Sequence, residues 1–210
     1  MFVGDDVAID FPADSLMKPR GVAGTSLLYK ILGGASFEGA DLDKMVELGD
    51  EVLRNLSTFG TSMECCSLPG HAKSHDLKDD EIEIGMGIHG EPGREKVKWI
   101  QNHQIIKTLI DRIEEKNKFS SEIVVMINSL GNVTNLEMTL ITNDVMKYFK
   151  AKAGVKVVRL ISGGVMTSLD MNGISLTVLN LDKFKDEILK YIDLPVDSPA
   201  WPPAINTAKF

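Results

Sequence analysis

Apolar residues recur along this chain with two different spacings, which divide it into helices and strands. Over residues 21–37, and again from Asp41 to about residue 57, they return every three or four positions, as in an amphipathic helix. Asp41 is also a typical cap for the start of a helix. The same spacing predicts three further helices, over residues 97–113, 134–153 and 182–191.

Six segments carry the alternating or continuous apolar pattern of β-strands. They are residues 2–9, 60–67, 81–88, 123–127, 155–161 and 174–179. The run 123–127 is apolar at every position, which is typical of a strand that is buried on both faces. Because a helix separates this strand from the next one, the two should be parallel, with a right-handed crossover. The pattern therefore predicts an α/β fold, with a mixed sheet covered by helices.

The first predicted strand, residues 2–9, has no other strand near it in the sequence. A strand without a neighbour leaves a row of open backbone donors and acceptors. It could be disordered, fold back onto the main domain or pair with another chain. Of these outcomes we expect self-association, and with it a homodimer.

The overall composition narrows the classes of partner and compartment. A chain of 210 residues with 43% hydrophobic content can bury a sizeable core, and its net charge of -7 disfavours nucleic acid and anionic membranes as direct partners. No apolar run approaches the roughly 20 residues that span a bilayer, and the first residues lack the features of a signal peptide. We therefore expect a cytoplasmic protein. The adjacent Cys65 and Cys66 are expected to be buried free thiols.

His89 is the candidate for chemistry, because of the residues around it. Gly87, Gly90 and Gly93 remove side chains from its neighbourhood, and Pro92 stiffens the segment. A small molecule could approach an imidazole in such a loop closely. The alternative is an ordinary surface histidine in a turn.

A metal site has a weaker basis in the sequence. His71 and His75 lie four residues apart and would share one face of a helix. Pro69 and Gly70 directly before them disfavour a helix, and no third ligand is at hand. We expect no metal.

Nucleotide-binding and hydrolase motifs are also weak or missing. The sequence contains no Gly-x-x-x-x-Gly-Lys-Ser/Thr loop, and residues 85–90 have dinucleotide-loop glycine spacing but continue into Glu-Pro-Gly instead of a helix. We expect no cofactor in this chain. Ser168 and Asp170 could form a hydrolase triad with His89 only if the fold brought the three together, which the sequence does not establish.

Five blocks of sequence resemble the dihydroxyacetone-binding subunit of dihydroxyacetone (glycerone) kinases, the DhaK family. They occur in the family's order across nearly the whole chain: residues 5–8 (Asp-Asp-Val-Ala), 20–25 (Arg-Gly-Val-Ala-Gly-Thr), 83–93 (Glu-Ile-Gly-Met-Gly-Ile-His-Gly-Glu-Pro-Gly), 128–131 (Asn-Ser-Leu-Gly) and 167–173 (Thr-Ser-Leu-Asp-Met-Asn-Gly). The resemblance implies that His89 attacks the substrate's carbonyl and holds it as a covalent hemiaminal. It also implies that His89, Gly87 and Gly90 bind the substrate.

Members of that family begin with roughly another half-domain, in which a Gly-Gly-Gly-Ser-Gly-His-Glu-Pro cradle, a general-base histidine and an aspartate lie. This sequence contains none of it. On the resemblance, residues 1–20 are a leftover strand and linker of a missing N-terminal α/β domain, and residues 21–210 are the C-terminal domain of a DhaK-type subunit. We expect this chain alone to be inactive as a kinase.

The resemblance further implies a partner. In the split bacterial system, a DhaL-type kinase subunit carries ADP or ATP with magnesium, is recharged by a phosphotransferase protein and phosphorylates the captured dihydroxyacetone. Residues 68–75 and 131–135 depart from the pattern of the active subunits. A second reading is therefore a non-catalytic paralogue that senses dihydroxyacetone and co-activates transcription.

Overall fold

The computed structural model describes residues 2–10, 18–71 and 77–207, and these residues form a seven-stranded sheet with five helices. In chain order the elements are α1 Gly24–Phe37, α2 Leu42–Asn55, β1 Leu56–Ser62, β2 Glu81–Ile84, β3 Glu95–Lys98, α3 Asn102–Lys116, β4 Glu122–Ser129, α4 Asn135–Ala151, β5 Lys156–Gly163, β6 Gly173–Asn180, α5 Lys185–Asp193 and β7 Ile205–Asn206. Across these three ranges, no helix combines the length and the hydrophobicity that crossing a bilayer requires.

The strands lie in the order β3-β2-β1-β6-β4-β5-β7. The β4–β5 pair is parallel and is linked through α4, while the other paired strands are antiparallel. The predicted α/β class, the mixed sheet and the parallel pair are confirmed. Strand β6 is buried at all eight positions, because it lies in the middle of the sheet between β1 and β4.

Helices cover both faces of this sheet and bury two apolar cores. The continuous apolar run of β4 supplies both, since neighbouring side chains of a strand point to opposite faces. Val125 and Ile127 pack in the core that α3 and α4 cover, whereas Val124 and Met126 pack in the core beneath α1, α2 and α5. Most of the apolar residues that recur every three or four positions in the helices therefore pack in these two cores, as predicted.

The start of α2 was predicted correctly from the local sequence pattern, whereas the position of β1 was not. Asp41 accepts a hydrogen bond from the amide of Lys44 at 2.8 Å, so the predicted cap of α2 is confirmed. The predicted strand 60–67 is displaced, because β1 follows α2 without a loop and spans Leu56–Ser62. Every residue of β1, from Leu56 to Ser62, pairs with β6.

The predicted strand 81–88 and the predicted helix 97–113 need a larger correction. Strand β2 stops at Ile84, where Gly85 adopts a positive φ of 82° and turns the chain. The chain returns as β3, which pairs with β2 and contains Val97. Helix α3 begins only at Asn102, after a capping box, so residues 97–101 are not helical. Strands β3 and β7 were not predicted.

Residues 2–10 fold back onto the main domain, which is one of the three outcomes considered for them, and they form a single bridge between Asp6 and Thr58 instead of the predicted strand 2–9. The amide of Val7 donates to Thr58 at 3.0 Å, and the amide of Thr58 donates to Asp5 at 2.6 Å. The Asp5 carboxylate accepts hydrogen bonds from the amides of Val22 and Gly24, both at 2.8 Å, at the start of α1. The segment fits there because β2 pairs only with the last two residues of β1.

Candidate functional site

His89 lies in the connection between β2 and β3, residues 85–94, which we call the His89 loop. The amide of Arg94 donates to Ile84 at 2.7 Å and closes the base of this loop. Farther out, the amide of Gly87 donates to Glu91 at 3.0 Å. The His89 side chain is 78% exposed, so its ring stands open to solvent as the glycine-rich sequence indicated.

Glu91 holds the ring and the backbone of His89 together. Its Oε1 lies 2.8 Å from Nδ1 of His89, and its Oε2 accepts the amide hydrogen of the same residue at 2.9 Å. A carboxylate can only accept, so Nδ1 of a neutral ring must carry the hydrogen. Nε2 of His89 is therefore left with a lone pair. Partial burial acts to raise the pKa of Glu91, but the hydrogen bonds from His89 outweigh it and lower that pKa.

Gly87 makes the approach of these groups possible. A Cβ added at this position would lie nearer to Oε2 of Glu91 than any real Cβ contact, and 2.8 Å from Nη1 of Arg20. Gly90 adopts a positive φ of 84°, which also favours glycine. The contacts with Glu91 and Arg20 thus account for the glycine at 87.

Arg20 braces the base of the His89 loop. Its Nη2 donates to the carbonyl of Gly85 at 2.8 Å, and its Nη1 donates to the carbonyl of Pro92 at 3.3 Å. Its Nε donates to Oδ2 of Asp6 at 2.6 Å. Burial raises the pKa of Asp6, although the Arg20 charge opposes that effect. One guanidinium therefore joins the docked N-terminal segment to both ends of the loop.

Glu83 holds the loop from below. Its Oε1 accepts the amide hydrogen of Gly93 at 2.5 Å. The side chain is buried, and its Oε2 has no hydrogen-bond partner among the residues that the structure describes. A second acidic side chain thus orders the loop from within the hairpin itself.

A small apolar cluster joins the loop to the ends of other strands. Met86 packs with Cys65, Leu130 and Met171, all four being buried, and Sγ of Cys65 lies 3.6 Å from Sδ of Met86. Neither Cys65 nor Cys66 forms a disulfide, as predicted, although Cys66 is only partly buried. The blocks 128–131 and 167–173 therefore meet the His89 loop through their apolar side chains.

All five blocks that carried the sequence resemblance thus surround one loop. Blocks 5–8 and 20–25 reach it through Asp6 and Arg20, and the remaining three meet at Met86. Sequence analysis proposed His89, Gly87 and Gly90 but gave no role to Arg20, Glu83 or Glu91. All three residues lie within the quoted blocks, and this was the signal in the sequence that could have identified them. The blocks do not show which atoms these side chains bind.

The other candidates receive no support. His71 is exposed, His75 lies outside the described residues, and no group of three potential ligands among His, Cys, Asp and Glu could hold a metal within those residues. Asp170 accepts hydrogen bonds from the amide and hydroxyl of Ser67 at 2.6 and 2.7 Å. Ser168 donates its amide hydrogen to Leu130 at 2.6 Å. These contacts bind loops together and do not build a triad with His89.

A cavity of about 530 Å³ lies away from the loop, between α3, α4 and the adjoining ends of β1 and β6. Its lining is mainly apolar and includes Ile105, Leu140 and Ile174, with Trp99 at one side. No residue of the His89 loop lines it. The candidate chemistry therefore lies at an exposed loop, and this cavity is separate from it.

Comparisons with known proteins identify relatives of the kind that the five sequence blocks resemble. The model of the Dak1 domain matches residues 1–200. The dihydroxyacetone-binding subunit DhaK of a PTS-dependent dihydroxyacetone kinase from Listeria innocua is 40% identical over 206 residues, which are 95% of this chain and 60% of that protein. This chain therefore spans about 60% of that relative's length.

Two solved structures are similar in fold. The dihydroxyacetone kinase of C. freundii superposes with a TM-score of 0.86 and 29% identity, covering 99% of this chain and 37% of that one. The dihydroxyacetone kinase operon co-activator Dha-DhaQ superposes with a TM-score of 0.84 and 30% identity, covering 92% and 59% respectively. The family model extends over nearly the whole sequence, and so this chain belongs to the Dak1 domain family.

Proposed function

We propose that this chain binds dihydroxyacetone covalently through Nε2 of His89, as a hemiaminal, and presents it for phosphorylation to dihydroxyacetone phosphate. The observation that carries the proposal is the contact of Glu91 with Nδ1 of His89 at 2.8 Å. This contact leaves the nucleophilic lone pair on Nε2, on a ring that is open to solvent. The name of the Listeria relative as a dihydroxyacetone-binding subunit supports the choice of ligand.

The proposed capture is an addition with no net change of charge. The Nε2 lone pair forms a bond to the carbonyl carbon, and the π electrons of the carbonyl move to its oxygen. That oxygen takes one proton from water and becomes a hydroxyl, while the ring, which is cationic after the attack, loses the proton on Nδ1 to Glu91, which returns it to the solvent. Oε1 of Glu91 lies where it can stabilise that cation and accept its proton.

Covalent capture would also explain selectivity. Glycerol has an alcohol where dihydroxyacetone has a carbonyl, so it has no electrophilic carbon to receive the Nε2 lone pair. Hydrogen bonds alone separate such similar molecules poorly. Through the carbonyl, the site selects dihydroxyacetone over glycerol by chemical reactivity.

The phosphoryl donor is proposed to lie on another subunit. A DhaL-type partner carrying ADP or ATP with magnesium would phosphorylate the captured ligand, and the description of the Listeria relative as PTS-dependent supports a phosphotransferase as its source. We expect this chain with ATP alone to make no dihydroxyacetone phosphate, and product to form when the partner is added. ATP-dependent product from the pure chain would contradict this part. The homodimer also remains a prediction.

A second candidate function is ligand sensing without phosphorylation. The structural similarity to the operon co-activator, with a TM-score of 0.84, favours it. Both functions would use the same capture by His89, so binding of dihydroxyacetone does not separate them. Phosphoryl transfer with a DhaL-type partner would support the kinase subunit. Failure of transfer, together with dihydroxyacetone-dependent binding to a transcription factor, would support the sensor.

Carbon-13 NMR tests the capture. Dihydroxyacetone labelled at its carbonyl should give, on addition of the protein, a bound signal in the region of tetrahedral carbon, and glycerol in excess should not remove it. The measurement should use the full natural chain, because relatives of this family are longer. A bound ligand whose carbonyl carbon stays trigonal would overturn the hemiaminal.

A further inference from the structure

We propose that Arg20 is a positioning residue for His89: its guanidinium ties Asp6 to the carbonyls of Gly85 and Pro92 and so fixes the loop that presents the imidazole. The inference rests on the proposed function, since it assigns to Arg20 the geometry on which capture by Nε2 depends. Among the described residues, the Arg20 side chain forms hydrogen bonds with Asp6, Gly85 and Pro92 and none with the His89 ring, and in the proposal it does not bind the ligand.

The first support is the placement of its three donors. The planar guanidinium offers several N–H groups in a fixed arrangement. Here Nη2 reaches Gly85, the first residue of the His89 loop, and Nη1 reaches Pro92, near its end. Arg20 thus holds the two ends of the His89 loop at a fixed separation, in a region where β2 and β3 no longer pair.

The second support is that Asp6, which binds the guanidinium of Arg20, is itself held in place. Asp6 is 8% exposed, and its Oδ1 accepts the amide hydrogen of Ala8 at 2.8 Å. Its backbone forms a parallel bridge with Thr58 of β1, and its amide donates to the carbonyl of Arg20 itself at 3.1 Å. The carboxylate that holds the guanidinium is therefore fixed to the central sheet.

The third support connects the brace to the ring. Pro92 follows Glu91 directly, so the hydrogen bond from Arg20 holds the backbone next to the residue that grips His89. Nη1 of Arg20 and Oε2 of Glu91 also approach the same side of Gly87. Without the guanidinium, the carbonyl of Pro92 would lose its hydrogen bond and the space beside Gly87 would open. Glu91 would then be held less firmly against His89.

The role is local, because the three groups that the Arg20 side chain bonds lie on the N-terminal segment and at the two ends of the His89 loop. The backbone pairing of β2 with β3 does not depend on that side chain. Removing the guanidinium should therefore loosen the loop while the sheet and its helices remain. If Arg20 served only the stability of the fold, its removal would change the unfolding transition but not which nitrogen of the His89 ring carries the hydrogen.

The experiment compares Arg20→Ala and Arg20→Lys with a matched control, Arg54→Ala. Arg54 also pairs with a buried acid, Glu51, at 2.7 Å, but it lies on α2 away from the loop. The first measurement is the nitrogen-15 spectrum of the His89 ring without ligand, which reports whether Nδ1 or Nε2 carries the hydrogen. The second is capture of carbonyl-labelled dihydroxyacetone by the full chain, followed as the tetrahedral signal.

In Arg20→Ala we expect the ratio of the Nδ1–H to the Nε2–H form to fall by about tenfold, as the loss of a charge-assisted hydrogen bond allows. Capture should weaken by a similar factor. Arg20→Lys should not restore either property, because one ammonium cannot span Asp6 and two carbonyls. Arg54→Ala should leave both unchanged.

A ring spectrum and a capture affinity in Arg20→Ala equal to those of the wild type would overturn the positioning role. If Arg20→Ala does not fold, Asp6→Asn, which weakens the anchor and leaves the guanidinium, decides the question by the same ring spectrum. The two proposals fail separately. A wild-type chain that never forms the adduct overturns the proposed function, whereas the ring spectra alone decide whether Arg20 positions His89.

Discussion

The carboxylate of Glu91 contacts His89 at two points, the backbone amide at 2.9 Å and Nδ1 of the ring at 2.8 Å. The two residues are separated only by Gly90, so the contact closes a small ring of atoms within the turn. It fixes which nitrogen of His89 carries the hydrogen and which way the imidazole points. A histidine that is exposed to solvent is thereby held in a defined state before any ligand arrives.

Replacing His89 by Ala should abolish adduct formation while leaving the fold intact. The side chain is exposed and outside the cores, so the free energy of unfolding should change by no more than about 0.5 kcal/mol. Urea unfolding and the tetrahedral carbon-13 signal measure the two effects. His103→Ala, on the exposed side of α3, is the matched control and should retain capture. Adduct formation by His89→Ala would show that another group is the nucleophile.

Glu91→Gln should weaken capture without removing the nucleophile. An amide keeps one accepting oxygen, which cannot serve both the backbone amide and Nδ1 of His89, so the preference for Nδ1–H should decline. A loss of affinity for dihydroxyacetone of about tenfold corresponds to one charge-assisted hydrogen bond. Titration with the labelled ligand and the ring nitrogen shifts report it. Unchanged ring shifts would contradict this role of Glu91.

Gly87→Ala should separate loop geometry from overall stability. The added methyl group would displace the ends of Glu91 and Arg20, which are movable side chains, so we expect capture to weaken and the unfolding transition to change little. Gly33→Ala is the contrasting variant, because nothing lies within 4 Å of a Cβ at that helical position. That variant should stabilise the protein by up to about 1 kcal/mol and leave capture unchanged. Equal capture by both variants would count against the geometric requirement at Gly87.

The pH dependence of stability should carry the signature of Asp5. Burial raises the pKa of Asp5 above its usual value of 3.8, and hydrogen bonds from Thr58, Val22 and Gly24 offset this only in part. The folded state therefore holds the proton more tightly than the unfolded state. The contribution of Asp5 to stability is fully present below pH 3.8 and is lost as the pH rises through the raised pKa.

Asp5→Asn measures this contribution. The stability of the wild type relative to Asp5→Asn should increase as the pH is lowered towards 3.8, in urea unfolding at a series of pH values. The variant should also be less stable at every pH, by roughly 1–3 kcal/mol, because one amide oxygen cannot satisfy both Val22 and Gly24. Asp43→Asn, at an exposed position of α2, is the control for the loss of one negative charge. A difference that grows with rising pH would reverse the sign.

Local sequence predicted much of the framework, for reasons visible in single elements. The uninterrupted apolar run of β4 required burial on both faces, and the structure places a helical layer on each. The cap at Asp41 also acts over only three residues, so pattern alone could identify it. Elements whose stability depends on nearby residues were therefore predicted with nearly the right bounds.

The misplaced elements depend on distant partners. The bounds of β1 follow from pairing with β6, more than a hundred residues later, and nothing near residue 56 reveals that register. In the same way β3 exists because β2 lies beside it. The short polar segment 95–98 has too weak a pattern of its own to be recognised as a strand.

At the candidate site, sequence by itself determined that His89 lies among glycines and belongs to one of five blocks that resemble a known family. Only the tertiary structure decided what surrounds the ring. Arg20 lies 65 residues from Gly85 in the chain and 72 from Pro92, yet it bonds to both. Periodicity reports which face of an element is buried, whereas a hydrogen bond between distant segments depends on how the sheet brings them together. For that reason the histidine could be found from its neighbours in sequence, and the groups that hold it could not.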